Sequence, residues 1–440
     1  MNNTTHMKPW RVILAATIGN ALEWYDFIIY GFLAATIGRL FFPSDDPSAA
    51  ILLATLSVGI GFVARPLGAL VLGIYADRFG RKRALNVVIL LMFISTAMIA
   101  FAPTYQQVGV WAALLIAVAR LMQGFSAGGE FGSATSYLIE SAPLHRRDFY
   151  GSWQMFAQAS GALMSTVVGV LLFDTFSQEV IDGWAWRLPF LVGLLIGPVG
   201  LYIRRHLDEP EAFKKIQGVT IPLSDVFKRY ALQLVAGTLV SAAVNVMSYV
   251  IITYLPLYAK QTLGMDQGDA FKALLVAVLL RMALIPMFGI VSDRVGRNKV
   301  LVVSLVLFTI SIYPAYSYVL GHPNLVSLLI VQVWFAVLIA AFYAPSPTYL
   351  SELFPAQVRG IGLSISYNLA ATVFGGFSLF LVTLIQQWTG SALAPAHYCV
   401  VFFIGAIIAV VFVKSKAEDE VEAAALIVLK PSEKLMAQMK

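Results

Sequence analysis

Two carboxylates lie in the middle of the first long apolar segment, in the sequence GNALEWYDF at residues 19–27. Glu23 and Asp26 are three residues apart, so on a helix they share one face. A carboxylate surrounded by hydrocarbon is costly unless it faces protein or water, and acids at such positions usually serve transport or proton transfer. The spacing therefore predicts a functional pair of acids with a proton as the cargo.

Basic side chains at a comparable depth are available to neutralise these acids. Arg120 lies near the middle of the fourth apolar segment, while Glu130 on that segment and Arg65 on the second lie about three turns nearer one end. Because buried charges are tolerated only when they are paired, the sequence predicts two groupings: Glu23 and Asp26 with Arg120, and Glu130 with Arg65. Each grouping is either a proton-coupling site or a permanent structural salt bridge, and the sequence does not separate the roles of Glu23 and Asp26.

Arg281 lies in the middle of an apolar segment of the second half, in the sequence LLRMA at residues 279–283. No acid lies at mid-depth in any apolar segment of that half. A buried guanidinium without an acid requires an anion, so Arg281 and Arg120 are predicted ligands of an anionic substrate. The alternative is that Arg281 pairs with an acid of the first half.

Other polar side chains fall at mid-depth, and neighbours three or four residues apart share a helix face. They are predicted to contact substrate, or alternatively to join helices: Gln154, Gln158, Asn245, Tyr249, Tyr367 and Asn368. Pro345 and Pro347 remove backbone donors, and therefore predict a bent or broken helix beside this site.

The composition indicates what holds these residues. Of 440 residues, 59% are hydrophobic and 12% are charged, whereas soluble proteins carry about 25% charged residues. The deficit extends over the whole length, which is typical of a polytopic membrane protein. The net charge of +6 is explained by Lys and Arg in cytoplasmic loops rather than by nucleic-acid binding.

Twelve apolar segments are long enough to cross a bilayer, for which about 20 residues suffice. We number these predicted spans one to twelve: 13–41, 49–75, 85–102, 109–140, 149–174, 186–205, 231–259, 269–291, 299–320, 325–348, 361–387 and 395–414. Alternate loops are rich in Lys and Arg, and the intervening loops carry Asp and Glu instead. The positive-inside rule therefore predicts that both termini are cytoplasmic.

An internal repeat divides the chain. The sequence GIYADRFGRK at 73–82 recurs as GIVSDRVGRN at 289–298, and YLIESAP at 137–143 recurs as YLSELFP at 349–355 at nearly the same spacing. Two motifs at one spacing indicate duplicated halves in the same orientation. Their charged residues are predicted to form ion pairs that latch the halves in one state, or alternatively only to fix topology: Asp77, Arg78, Arg81, Glu140, Arg147, Asp293, Arg294, Arg297, Glu352 and Arg359.

The fold class expected is therefore an all-α polytopic membrane protein with two pseudo-symmetric six-helix bundles. The predicted divisions are a first bundle at 1–206, a cytoplasmic linker at 207–229, a second bundle at 230–414 and a cytoplasmic tail at 415–440.

The repeated Asp-Arg-x-Gly-Arg loop, the run RLMQG at 120–124 and the two-half plan resemble the major facilitator superfamily. More narrowly, GNALEWYDF, RPLG at 65–68, QGFSAGGE at 123–130 and WAWRLPF at 184–190 are similar to the metabolite:proton symporter family, which includes citrate, tricarballylate, 2-oxoglutarate, shikimate and proline/betaine carriers. The resemblance covers all twelve spans. It implies proton-coupled uptake across a bacterial inner membrane by alternating access, and gives the run at 120–124 a role in proton transfer.

Competing classes find no support in the residues. No Gly-x4-Gly-Lys-Ser/Thr loop is present, so an ATP-driven pump is not expected. The five histidines are scattered over loops and helix ends, which predicts neither a metal site nor a catalytic triad. We expect a monomeric transporter, not an enzyme, that uses protons and no cofactor to import citrate or a related carboxylate. The alternative substrate is an osmolyte such as proline or glycine betaine.

Overall fold

The structure is a computed structural model that describes residues 9–79, 81–128, 131–132, 135, 138–139, 142–194, 223–355 and 358–413. Within these ranges the side chains are described except those of residues 9–19, 47, 73, 74, 76–79, 81–86 and 223–225. Most of the predicted linker and the predicted tail therefore lie outside the described residues. Residues 223–229 of the predicted linker form a short helix, Leu223–Arg229.

Every element in the described ranges is a helix, as the composition predicts. By length and composition eight of the described helices could cross a membrane, or nine if one bent pair counts as a single span. The helices of the first half are Pro9–Phe32 and Ala34–Phe41 in span one, Pro47–Val63 and Arg65–Phe79 in span two, Arg81–Ala100 in span three, Val110–Ala127 in span four, Arg147–Thr175 in span five and Ala185–Leu194 in span six.

The second half is described almost without gaps. Its helices are Ala231–Val246, Met247–Thr253 and Leu255–Gln261 in span seven, Gln267–Val295 in span eight, Arg297–Gly321 in span nine, Leu325–Tyr343 and Ser346–Glu352 in span ten, Arg359–Ala370, Ala371–Gly376 and Ser378–Thr389 in span eleven, and Ala394–Phe412 in span twelve. The predicted spans of this half begin within a few residues of these helices.

Local sequence signals fix several helix ends. The Asp266 carboxylate accepts a hydrogen bond from the Gly268 amide at 2.8 Å and so caps span eight. Asn324 caps span ten in the same way through the Ser327 amide at 3.0 Å. Span eight turns sharply into span nine at Gly296, whose φ of 101° favours glycine, so the glycine of the repeated loop serves the tight turn.

Interruptions of the helices cluster on the spans that join the halves. Span ten stops at Tyr343 and restarts at Ser346, which confirms the break predicted from its two prolines. Spans seven and eleven each contain a π-helical segment, Met247–Thr253 and Ala371–Gly376, that the sequence did not predict. Such segments are frequent at functional sites because they shift the register of side chains along a helix.

The two halves pack against each other along a shared interface. Span five packs on span eight and span ten, while span two packs on span eleven and span one touches span seven. Phe377 and the Gly376 carbonyl lie against Gly59, so spans two and eleven approach closely. The acids of span one and the arginines of spans two, four and eight are thereby brought to the centre of the molecule.

Candidate transport site

The two acids of span one are both buried but bind different partners. Arg65 Nη2 donates to Glu23 Oε1 at 2.8 Å, and the exposed fractions of the two side chains are 2% and 3%. The guanidinium also lies over the rings of Phe27 and Phe62, at 5.3 Å and 5.2 Å from their centroids. Glu23 is therefore held in a buried ion pair with span two.

This pair also reaches the second half of the molecule. Arg65 Nε donates to Asn368 Oδ1 at 3.4 Å, and Asn368 Nδ2 donates to the Gly128 carbonyl at 2.8 Å. Asn368 lies on span eleven, whereas Arg65 and Gly128 lie on spans two and four. One amide side chain thus links the buried charges of the first half to the second half.

Asp26 has a separate environment. Its Oδ2 accepts a hydrogen bond from Thr96 Oγ1 at 2.8 Å, whereas its Oδ1 has no hydrogen-bond partner among the described residues. Gln123 Nε2 donates to the same Thr96 hydroxyl at 3.1 Å, and Arg120 Nη1 donates to Gln123 Oε1 at 2.7 Å. Arg120 and Asp26 are consequently joined through two intervening side chains rather than by a direct ion pair.

Arg120 is fixed by groups other than an acid. Its Nη2 donates to the Val58 carbonyl at 3.1 Å, and its guanidinium lies 4.0 Å from the centroid of the Tyr30 ring. Tyr30 in turn donates to Ser57 at 3.1 Å. The guanidinium lies against an aromatic face and a backbone carbonyl, two weaker partners than a carboxylate.

The predicted pairing of Glu23 with Arg120 is therefore wrong, because Arg65 takes Glu23. Depth along a span can be counted from the sequence, but it does not reveal which helix lies alongside. Glu130 lies outside the described residues, so its predicted pairing with Arg65 stays a prediction. Thr96 was not predicted as a site residue. Gln123 lies in the run at 120–124 that the resemblance associates with proton transfer, but the sequence assigned it no individual role; it stands three residues after Arg120 on the same helix face.

Arg281 is buried in the second half. Its Nε has no hydrogen-bond partner among the described residues, and within these residues it forms no ion pair. The guanidinium lies 5.8 Å from the ring centroid of Tyr343, whose hydroxyl donates to the Val244 carbonyl at 2.8 Å and lies 2.7 Å from the Ser248 hydroxyl. The alternative that Arg281 pairs with a first-half acid finds no support in the described part of the chain.

The polar side chains predicted to contact substrate are all buried, and most of them have hydrogen-bonding atoms without a partner among the described residues. Gln158 Nε2 donates to the Tyr367 hydroxyl at 3.4 Å across the two halves. Buried atoms without a partner in the described part of the chain are both amide atoms of Gln154, Gln158 Oε1, Asn245 Oδ1 and the Tyr249 hydroxyl. Buried polar groups are normally satisfied, so this cluster has the hydrogen-bonding capacity to receive a polar ligand.

Ion pairs join the halves at the end of the bundle that carries the repeated loops, which we call the basic end. Glu352 of span ten binds Arg147 of span five at 2.9 Å and also pairs with Arg297. Arg297 Nε lies 3.3 Å from Asp148 Oδ1, and Ser292 donates to Asp148 Oδ2 at 2.6 Å. Residues of both halves therefore form one continuous charged network.

Asp293 reinforces this network through the backbone. Its carboxylate accepts hydrogen bonds from the amides of Asp148 and Phe149, at 2.9 Å and 3.1 Å, and so caps the first turn of span five. Arg359 donates to the Ser351 carbonyl at 3.1 Å, whereas Arg294 is exposed. The side chains of Asp77, Arg78 and Arg81, and residue Glu140, lie outside the described residues.

The halves also touch at the opposite end. Lys272 of span eight pairs with Asp174 of span five at 3.2 Å, and Lys260 donates to Gln178 at 3.0 Å. Phe271 stacks on Phe173 with ring centroids 5.2 Å apart. Contacts between the halves are therefore present at both ends of the central polar cluster.

No group of three His, Cys, Asp or Glu side chains that suits a metal ion occurs among the described residues.

Comparison with known proteins identifies the family. The family description "Sugar (and other) transporter" matches residues 12–218, and "Major Facilitator Superfamily" matches residues 273–432. The chain is 34% identical to the citrate-proton symporter of Klebsiella pneumoniae over 389 residues, which are 88% of this chain and 87% of that protein. It is 31% identical to the proline/betaine transporter of Escherichia coli K12 over 433 residues, which are 95% of this chain and 86% of that protein.

Solved structures agree on the fold. The xylose transporter XylE from E. coli, in a partially occluded inward open conformation, superposes with a TM-score of 0.75 over 93% of this chain and 98% of that chain, at 18% identity. Since relatives of clear sequence similarity span most of both chains and a solved transporter shares the fold, the chain belongs to the major facilitator superfamily of membrane transporters.

Proposed function

We propose that this transporter imports a small organic acid, citrate or a related di- or tricarboxylate, together with protons. The proton coupling is supported by the relatives, which include a citrate-proton symporter at 34% identity. The relatives also include proline/betaine transporters at 31% identity, so similarity alone does not choose the substrate. The choice rests on the charges of the central site.

Arg281 is the observation that carries this choice. Among the described residues, the buried centre contains the guanidinium groups of Arg65, Arg120 and Arg281 but only the carboxylates of Glu23 and Asp26. Glu23 is engaged by Arg65, so Arg281 and Arg120 remain without a directly bound acid. A centre with excess positive charge favours a ligand with several carboxylates, which is an anion, over a zwitterion, which carries no net charge.

Asp26 is our proposed proton acceptor, and Glu23 is the permanent counter-ion of Arg65. The Glu23–Arg65 bond is short and buried, and separating such a pair leaves two uncompensated charges. Asp26 instead has one carboxylate oxygen free of hydrogen bonds within the described ranges. Protonation at that oxygen disturbs no existing contact.

Transport by alternating access follows from these parts. Substrate binds between Arg281 and the polar groups of both halves, namely Gln154, Gln158, Asn245, Tyr249, Tyr367 and Asn368. The network around Glu352 and Arg297 latches the basic end while the other end opens, and it separates when the site opens on its side. We assign Asp77, Arg78, Arg81 and Glu140 to the matching latch of the first half.

We propose that the protein lies in a bacterial inner membrane, with its basic end and both termini in the cytoplasm. We also propose that it acts as a monomer. Basic residues concentrate in the loops of one end, as the positive-inside rule requires. Protons are the proposed coupling ion, and no cofactor is required.

Uptake by the purified protein in liposomes tests the proposal. Labelled citrate, 2-oxoglutarate, shikimate, proline and glycine betaine are supplied with an imposed pH gradient, acidic outside. We expect accumulation of one or more of the carboxylates that collapses when a protonophore dissipates the gradient. Accumulation of proline or betaine with no carboxylate uptake would overturn the proposed substrate class.

The role of Arg281 is tested by Arg281→Gln. Because a hydrogen bond to a charged group contributes about 1.5–3 kcal/mol, we expect KM for the carboxylate to rise about tenfold or more. The matched control is Arg39→Gln. Arg39 lies away from the central site, at the end of the bundle opposite the basic end, in an exposed ion pair with Asp182 at 2.8 Å. Unchanged KM in Arg281→Gln would remove the proposed anion contact.

A further inference from the structure

We propose that Thr96 is a positioning residue that couples Arg120 to Asp26, through a relay of hydrogen bonds that leaves Asp26 Oδ1 as the proton-accepting atom. The inference rests on the proposed function, which it deepens by assigning the atom that carries the proton and the groups that control it. The relay consists of Arg120, Gln123, Thr96 and Asp26.

The direction of every bond in the relay is fixed by chemistry. Arg120 can only donate, so the atom of Gln123 that lies 2.7 Å from it is the amide oxygen. The Gln123 amide nitrogen then donates to Thr96 Oγ1 at 3.1 Å. Because that hydroxyl already accepts, its single proton is directed to Asp26 Oδ2 at 2.8 Å.

The four side chains come from three different helices and are all buried. Thr96 lies on span three, Gln123 and Arg120 on span four, and Asp26 on span one. Neither Arg120 nor Gln123 forms a hydrogen bond with Asp26 in the described part of the chain, so the Thr96 hydroxyl is the hydrogen-bonded contact that joins them to the acid.

The second oxygen of Asp26 faces a residue without a side chain. A Cβ atom built on Gly193 of span six would lie 2.8 Å from Asp26 Oδ1 and 3.3 Å from Thr96 Cγ2. Glycine therefore leaves room beside Oδ1, the oxygen that accepts no hydrogen bond among the described residues. A proton added at Oδ1 preserves the bond from Thr96 to Oδ2.

Among the described residues, few other groups act on Asp26. Within that part of the chain, the charged group that faces it from another element is Arg120 of span four. On its own helix, Tyr25 is its titratable neighbour, with its hydroxyl donating to the Pro189 carbonyl at 2.7 Å, and Glu23 is bound to Arg65. Thr96 on span three and Gly193 on span six carry no charge.

The relay gives a physical route for coupling. When a substrate carboxylate draws Arg120 away, the Gln123 amide loses the partner that orients it, and the Thr96 hydroxyl is free to turn from Asp26. The carboxylate then loses the donor that stabilises its charge, so a proton from solution binds at Oδ1 and forms the neutral acid. By reciprocity, protonation of Asp26 favours substrate binding by the same factor.

Infrared titration tests the relay without a substrate. The difference spectrum between a protein and its Asp26→Asn derivative isolates the carbonyl stretch of protonated Asp26 as pH is varied. In Thr96→Val, which keeps the shape but lacks the hydroxyl, we expect the half-protonation pH of Asp26 to move up by about one pH unit. Thr96→Ser retains a hydroxyl and should return it to the wild-type value.

The matched control is Thr166→Val. Thr166 is also buried, but its hydroxyl bonds the Ala162 carbonyl of its own helix at 2.7 Å, and its loss should leave the titration unchanged. A titration of Thr96→Val that coincides with wild type, or a shift that Thr96→Ser fails to reverse, would overturn the relay.

Transport provides a second readout. In Thr96→Val the proton is held more tightly, so net uptake driven by the pH gradient should fall several-fold while exchange of internal for external substrate persists. Loss of both activities to the same extent, in a protein that folds normally, would contradict a coupling role. If instead the wild-type protein shows no uptake dependent on the pH gradient, the proposed function is wrong, whereas the infrared titration still decides the relay.

Discussion

At the residue scale, two acids on one helix face differ because of their neighbours. Glu23 meets a guanidinium directly, whereas Asp26 meets a hydroxyl on one oxygen and a glycine on the other. The first arrangement stabilises a permanent charge. We propose that the second allows a proton to bind and leave. The proposed difference in role between the two acids therefore depends on spans two, three and six rather than on span one itself.

Neutral variants of the two acids should differ in stability. Glu23→Gln leaves the buried Arg65 without its counter-ion, and breaking a buried pair costs about 3–5 kcal/mol. Asp26→Asn removes a buried charge and keeps an acceptor for Thr96, so we expect its thermal stability to equal or exceed that of wild type. Melting temperatures in detergent measure both effects. Equal losses in the two variants would contradict the assigned roles.

Asp26→Asn, which should remain stable, should nevertheless lose proton-driven transport. Asp26→Asn should abolish accumulation driven by the pH gradient but retain exchange of labelled substrate. Exchange that is lost along with accumulation would show that Asp26 serves binding rather than proton transfer.

The sequence identifies these residues but not their pairings. A charged residue within an apolar run is costly in hydrocarbon, and Glu23, Asp26, Arg120 and Arg281 can be recognised from such runs along the chain alone. The partner of each depends on which helix lies alongside. Thr96 illustrates the limit, since a threonine in an apolar span is common and its proposed role depends on a contact with Asp26 that only the structure shows.

At the element scale, glycines allow spans two and four to approach until their backbones touch. A Cβ atom on Gly124 would collide with the Gly61 carbonyl, and one on Gly68 with the Phe125 carbonyl. Gly61 also lies against the Arg120 guanidinium, where a Cβ would be 2.8 Å from Nη2. The close approach thus holds Arg120 in place, as small residues at helix–helix contacts commonly do.

Gly124→Ala should therefore destabilise the first half. The obstructing atom is a backbone carbonyl that cannot rotate away, and overpacking of this kind costs about 1–3 kcal/mol. The control is Gly321→Ala at the end of span nine, where a Cβ would meet nothing within 4 Å and φ is not positive. Thermal unfolding monitored by tryptophan fluorescence compares the two, and a similar melting temperature for both variants would refute the packing argument.

Elements were predictable where they depend on local sequence. Hydropathy placed the spans, and the turn at Gly296 depends on the local preference of glycine for a positive φ. The π-helical segment Ala371–Gly376 was not predictable, because its surroundings come from the other half: Thr372 donates to the Phe62 carbonyl at 3.0 Å and Gly376 lies against the Phe62 ring.

At the scale of the whole molecule, the contacts between the halves differ in strength at the two ends. At the basic end, Glu352 is mostly buried and bridges two arginines, while Asp293 caps span five. At the opposite end, the side chains of Lys272 and Asp174 are 45% and 38% exposed. Exposed ion pairs contribute little because water screens them. Opening of the basic end is therefore expected to be the more costly of the two movements.

Removing the bridge at the basic end should shift the resting population toward a state open at that end. Glu352→Gln withdraws the carboxylate from Arg147 and Arg297 at once, whereas the control Lys272→Gln breaks an exposed pair at the opposite end. The reporter is Ser351→Cys in a Cys399→Ala background, because Ser351 is buried beside the bridge and Cys399 is the single native cysteine. Maleimide should label the reporter several-fold faster in Glu352→Gln and at the original rate in Lys272→Gln. An unchanged rate in Glu352→Gln would mean that the network fixes the topology of the loops without holding the halves together.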